Sequence, residues 1–275
     1  MRGTSVRDAL DSAVVGLTAA GVPTSRLDAE VLLAHVLAVD RTALFLDPAR
    51  ELTPAQAGAF RAVVVRRRER EPVSQLVGLR GFRHLELAVD RRVLTPRPET
   101  EHLVEAALWL PEGARVVDVG TGSGAVALAL KDERPDLEVL ATDVSTDALD
   151  VAWQNARALG IDVTFFHGDL LDPIDPALPV DAVVSNPPYV RDEVALPPEV
   201  VRFEPHVALF GGPDGLAVIR RLVPQAFGRG ARFVAVEVGE GQVPDVGAVF
   251  RAAGAAEVHA VPDLAGIERV VVGRC

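Results

Sequence analysis

Arg115-Val116-Val117-Asp118-Val119-Gly120-Thr121-Gly122-Ser123-Gly124 is the stretch on which the fold turns. A short apolar run opens into three glycines spaced G-x-G-x-G, and an apolar helix follows from Ala125 to Glu133. Glycine permits tight turning and close approach of backbone to a ligand. Amides exposed at a helix start can hold an anion. A dinucleotide fold also places a glycine loop here, but with the spacing G-x-G-x-x-G. Gly120, Thr121, Gly122, Ser123 and Gly124 are therefore candidate cofactor-binding residues, with Asp118 standing just before them.

Downstream, the next apolar run ends in Asp143, 19 residues after Gly124. A carboxylate at that position can accept both hydroxyls of a ribose. It can equally serve, with Ser145, as a cap for the helix that follows. Beside the glycine loop, ribose binding is favoured. A third run ends in His167-Gly168-Asp169-Leu170, where Asp169 can accept an adenine amino group and Leu170 can pack on its ring.

Further strands are expected at Ala182–Ser185, Ala231–Val238, Glu257–Val261 and Glu268–Val272, after those at Arg115–Val119, Glu138–Asp143 and Val163–His167. Helices are expected at Thr146–Leu159 and Gly215–Phe227. Such alternation predicts a doubly wound α/β sheet, Rossmann-like and seven-stranded. Pro262–Ile267 is too short for a crossover helix, so the last two strands should pair antiparallel.

Upstream, residues 1–74 read as a small helical domain and 75–92 as a β-hairpin linker, leaving 93–275 as the α/β domain. Ser25 is expected to cap a helix whose inward face carries Leu27, Val31, Ala34 and Ala38. Thr53-Pro54 opens another, ending in the run Arg66–Arg70, expected chiefly as a solvated face. The first 92 residues hold fourteen arginines against eleven acidic residues; the remainder carries a net charge of −14. That acidic balance argues against a nucleic-acid binder. Cys275 is the only cysteine, so no disulfide or thiolate metal site forms within the chain. Met1–Leu17 lacks a signal-peptide core and no stretch is long enough to span a bilayer, so a soluble cytoplasmic protein is expected. The six histidines show no ligand spacing, and no metal is expected.

The strand Asp181–Ser185 leads into Asn186-Pro187-Pro188-Tyr189. Two prolines remove backbone donors and fix φ, giving a rigid loop lined by carbonyls. A planar NH2 can donate to the Asn186 oxygen and the Pro187 carbonyl, with Tyr189 stacked over the flat group. Gripping both N–H bonds aims the nitrogen at an electrophile. Asn186, Pro187, Pro188 and Tyr189 are thus candidate catalytic and substrate-binding residues, Asn186 bordering the cofactor as well.

Glycine loop, acidic second strand and this tetrapeptide together resemble the class I S-adenosylmethionine-dependent methyltransferases that act on amide or exocyclic nitrogens. Leu94-Thr95-Pro96-Arg97-Pro98-Glu99-Thr100-Glu101 and Phe203–Leu216, which contains EPHVALFGGPDGL, are similar to segments of the release factor glutamine methyltransferases, the HemK/PrmC family. Glu237–Gln242 and Asp263–Arg269 fit as well. Pro98 with Glu99 and Glu101 also reads as a plain helix start.

The resemblance implies methyl transfer from S-adenosylmethionine, with S-adenosylhomocysteine as product. The acceptor it implies is the side-chain nitrogen of the glutamine in the Gly-Gly-Gln loop of peptide chain release factors. A monomer with no direct nucleic-acid or membrane partner is expected. Rival readings are a glutamine methyltransferase acting on a ribosomal protein, a DNA adenine-N6 methyltransferase, and a non-catalytic cofactor-binding scaffold. The last would not need Asn186 and Tyr189 intact.

Overall fold

A computed structural model of the chain describes residues 4–275; residues 1–3, the start of the expected helical domain, lie outside it. The chain runs through α1 (Val6–Ala19), α2 (Ser25–Leu37), α3 (Arg41–Leu46), α4 (Pro54–Arg68) and α5 (Val73–Val77), then a hairpin of β1 (Leu79–Phe82) and β2 (Leu85–Ala88). After a 3₁₀ turn at Pro98–Thr100 come α6 (Glu101–Ala107), β3 (Arg115–Val119), α7 (Ala125–Glu133), β4 (Glu138–Asp143), α8 (Thr146–Leu159), β5 (Thr164–His167) and β6 (Ala182–Ser185). The last part holds α9 (Pro198–Val201), α10 (Ala217–Gly228), β7 (Phe233–Glu237), α11 (Val243–Ala252), β8 (Glu257–Pro262) and β9 (Glu268–Arg274). Among the described residues no helix is long and apolar enough to cross a membrane.

Two compact units divide the chain: residues up to Gly78 together with Leu196–Phe203, and Leu79–Ala195 together with Glu204–Cys275. In the first, reciprocal capping boxes start α1 (Ser5 and Asp8) and α4 (Thr53 and Gln56). The α2 start differs from expectation. Thr24 is the residue preceding the helix, and Ser25 lies inside it, its hydroxyl donating to Val22 O at 2.6 Å. The buried face carries Ala29, Leu32, Leu33 and Leu37, with Ala34, whereas Leu27 is 45% exposed. The helix is apolar on more than one side, so periodicity could not choose the face. It also buries Asp28 and Glu30, because each has an arginine partner.

The arginine run is a solvated face only in part: Arg66, Arg68 and Glu69 are exposed. Arg67 is buried and donates to Asp28 Oδ2 at 2.7 Å and to Glu71 O at 3.1 Å. Arg70 pairs with Glu199 at 2.7 Å and Arg66 with Glu71 at 2.5 Å. These ties draw α2, α4 and α9 into one unit.

The second unit is a seven-stranded sheet in the order β5-β4-β3-β6-β7-β9-β8. The first five are parallel; β9 pairs antiparallel with both β7 and β8. This is the mostly parallel sheet with an antiparallel terminal hairpin that the sequence predicts. Central strands β3, β4, β6 and β7 are buried on both sides, as continuous apolar runs require. Val116, Ala141, Val184 and Ala235 pack with α6 and α7 on one face; Val117, Leu140, Val183 and Val234 pack with α10 and α11 on the other. At the β8–β9 turn Asp263 accepts from the amides of Ala265 and Ile267, both at 2.9 Å. The β1–β2 hairpin belongs to this unit. Asn155 of α8 clamps it, accepting from Ala88 N at 2.8 Å and donating to Ala88 O at 3.1 Å.

Candidate active site

The carboxyl ends of β3, β4, β5 and β6 converge on a cavity of about 430 Å³, the size of a small-ligand site. Its floor is the glycine loop. Gly120 and Thr121 donate their amides to Thr142 O at 2.8 and 3.1 Å, which folds the chain back over β4. Gly120 and Gly122 have φ of 73° and 57°, with open space where a Cβ would stand. The bare backbone is thus presented to the cavity. Gly124 serves another purpose: a Cβ there would lie 3.3 Å from that of Ala152, so its hydrogen lets α7 and α8 approach.

Asp118 sits beneath the loop, accepting from Thr121 Oγ1 at 2.6 Å and Ala127 N at 3.1 Å. Burial pushes its carboxyl up to about 7, against which those two bonds act. Asp143, at the end of β4, accepts from Gly122 N at 2.9 Å and from Ser145 N at 2.8 Å. Burial raises its pKa too, with these amides opposing. The cap for α8 is the Ser145 side chain, which accepts from Ala148 N at 3.2 Å. Asp143 therefore joins two ligand-facing loops and lines the cavity itself.

Gly120, Thr121, Gly122, Ser123, Asp143, Asp169, Leu170, Asn186, Pro187 and Pro188 all line the cavity. Leu170 is buried at a φ of 49°, and Asp169 pairs with Arg221. Asn186 donates Nδ2 to Thr100 Oγ1 at 3.0 Å. Among the described residues no donor meets Asn186 Oδ1 or the Pro187 carbonyl. Both residues line the cavity.

Gly124 and Tyr189 fall outside the lining. Tyr189 is the residue expected to stack over a flat group. Its hydroxyl donates to Glu237 Oε1 at 3.0 Å, and burial, then the adjacent Glu237 charge, holds the phenol well above its usual range. Arg97 likewise turns to Glu204, at 2.6 Å, while Pro96 and Thr100 of the same segment line the cavity.

Sequence reasoning missed the frame around the tetrapeptide. A Cβ on Gly211 would meet Pro188 O at 2.4 Å, and one on Gly215 would meet Tyr189 O at 2.2 Å. Gln242 donates to Tyr189 O at 3.0 Å and accepts from Gly239 N at 2.8 Å. The glycines of the FGGPDG segment and the EVGEGQ segment were visible as motifs, but only the fold shows that both grip one loop. Asn155 was not signalled at all; it also donates to Ser123 O at 2.9 Å, steadying the glycine loop.

Comparison with known proteins agrees with this layout. Residues 8–78 match a family model described as PrmC N-terminal domain, and residues 99–202 one described as Methyltransferase small domain. A release factor glutamine methyltransferase of Rhodospirillum rubrum is 44% identical over 96% of this chain and 83% of its own. One of Koribacter versatilis is 43% identical over 98% of both chains. A solved methyltransferase from Pyrococcus furiosus shares the fold, at a TM-score of 0.53 and 16% identity over 78% of this chain and 96% of its own. With such identity running through both units, the chain belongs to the release factor glutamine methyltransferase family.

Proposed function

We propose that this chain methylates the side-chain amide nitrogen of the Gly-Gly-Gln glutamine in a peptide chain release factor, using S-adenosylmethionine. The observation that supports the reading is that Asn186 and Pro187, whose side-chain and backbone oxygens meet no donor among the described residues, line the cavity floored by the glycine loop.

The cavity suits that cofactor: backbone without side chains at Gly120 and Gly122 to lie close against it, and a carboxylate at Asp143 for the ribose hydroxyls. Leu170 packs on the adenine ring, and Asp169 accepts from its amino group. When bound, S-adenosylmethionine supplies an electrophilic methyl group, so the protein needs no nucleophile of its own. Its task is alignment. An amide nitrogen has a delocalised lone pair and attacks poorly unless held. Asn186 and Pro187 accept its two N–H bonds, fixing the plane of the group. The same acceptors stabilise the positive charge that grows on nitrogen during transfer. Pro188 stiffens the loop, and Tyr189 pins it through its hydroxyl. Orientation of this kind contributes several kcal/mol. The extra proton leaves after transfer.

The unit formed by residues up to Gly78 with 196–203 is the part we assign to recognition of the protein substrate. The whole reading is tested by incubating the protein with labelled S-adenosylmethionine, purified release factor, ribosomal proteins and duplex DNA. Label on the release factor glutamine is the expected result; label on DNA or a ribosomal protein instead overturns it.

A further inference from the structure

We infer that Gln242 is a positioning residue for the transfer: its side-chain amide fixes the reacting loop by the Tyr189 carbonyl. For its effect on rate the inference rests on the methyl-transfer reading above; the contact itself is a matter of geometry. Asn186 and Pro187 can orient a substrate amide only if the backbone that carries them does not shift. Tyr189 closes that tetrapeptide. The rings of Pro187 and Pro188 fix φ at both positions, so few torsions between Asn186 and Tyr189 can turn. A hold on Tyr189 is therefore felt at Asn186.

Gln242 supplies that hold. Its Nε2 donates to Tyr189 O at 3.0 Å, and its Oε1 accepts from Gly239 N at 2.8 Å. One amide thus bridges the loop after β6 and the turn after β7. Its direction is not free. A backbone carbonyl only accepts and a backbone N–H only donates, so a reversed amide would lose both bonds. Two glycines leave room for it. A Cβ on Gly215 would lie 2.7 Å from Gln242 Nε2, and one on Gly239 would lie 3.0 Å from Oε1. The Tyr189 hydroxyl meets Glu237 Oε1 at 3.0 Å. The last residue of β7 and the turn beyond it therefore hold Tyr189 by its ring tip and by its backbone.

The helix that follows does not account for the side chain. Gln242 is the residue preceding α11, a place from which polar side chains commonly cap the first turn, yet it makes no such bond. Solvent does not account for it either, since Gln242 is 5% exposed. A buried amide is tolerated where its hydrogen bonds are met, and these are met on the backbone of the two loops it joins.

The test uses the full chain with Gln242→Glu and Gln242→Met. Both keep the length of the side chain. The ionised carboxylate still accepts from Gly239 but offers Tyr189 no proton; the thioether donates nothing. In both, kcat should fall about 10²-fold while cofactor affinity by calorimetry and the KM for release factor stay put. One readout needs no turnover. Tyr189 is the only tyrosine, so protein grown with tyrosine labelled at its carbonyl carbon gives a single carbonyl resonance, which should move in both variants. Unchanged kcat or an unmoved resonance overturns the inference. So does loss of cofactor binding in both variants, which would make Gln242 a residue of general stability. A wild-type protein that leaves release factor unlabelled overturns the functional reading instead, and the carbonyl resonance still decides the contact.

Discussion

Asn186 and Asp143 separate the two halves of the site. Asn186→Ala deletes one of the two proposed acceptors, so cofactor affinity should hold while kcat falls about 10²-fold, checked by calorimetry beside turnover. Asp143→Ala removes the carboxylate that joins Gly122 to Ser145, and calorimetry should show weakened cofactor binding. Asp118 gives a pH signature. Its carboxyl titrates at 3.8 when exposed and at about 7 in the fold, because burial disfavours its charge. Between those values the folded form keeps a proton that the unfolded chain has lost, so stability falls as pH rises from about 4 to 7. Urea melts of Asp118→Asn should be flatter than wild type across that window. Glu237 adds a slope of the same sign between 4.5 and about 6. At this scale the sequence announced the residues that stand in loops after strands, where a ligand must sit. It showed Thr100 and Glu237 only as members of motif segments, without a role, and did not announce Asn155; all three work through contacts far along the chain. Tyr189 shows the limit: its position was legible, but the direction of its ring depends on Glu237, 48 residues on.

Among elements, the glycine loop depends on how closely α7 and α8 approach. Gly124 has a φ of 83°, and an added Cβ would stand 3.0 Å from Leu128 Cδ1. Gly124→Ala should cost about 1–3 kcal/mol, read from urea denaturation, through backbone strain and crowding together. The strands were legible because a strand buried on both faces must be apolar throughout. The α2 face was not, since a helix packed on several sides has no single stripe. The helix α11 went unread: Gly241, Pro244 and Gly247 look like a loop, yet Pro244 fits a first helical turn and Gly247 is buried within it.

For the whole molecule, the net charge of −11 conceals a basic segment that turns Arg67 inward while Arg66 and Arg68 stay exposed. Arg67 is the centre of that arrangement, with Asp28 on one side and Glu199 at 3.6 Å on the other. Arg67→Ala leaves the buried Asp28 carboxylate without its charge partner and should cost about 3–5 kcal/mol, visible as a lowered Tm. Charge counting found the asymmetry; it could not tell a partner-facing patch from an internal brace, because that depends on which acids lie opposite. Glu199 itself belongs to a short excursion: Leu196–Phe203 leaves the sheet-bearing unit after the tetrapeptide, joins the helical one, and returns at Glu204. The polypeptide therefore passes between units at three points, 78–79, 195–196 and 203–204. No single scission releases a self-sufficient half. A fragment starting at residue 79 carries eight residues of its neighbour's architecture, with Glu199 bereft of its guanidinium partners, and one ending at residue 78 has a gap where they belong. A faithful dissection has to be a splice, grafting 196–203 onto the helical part and closing 195 to 204 with a short bridge.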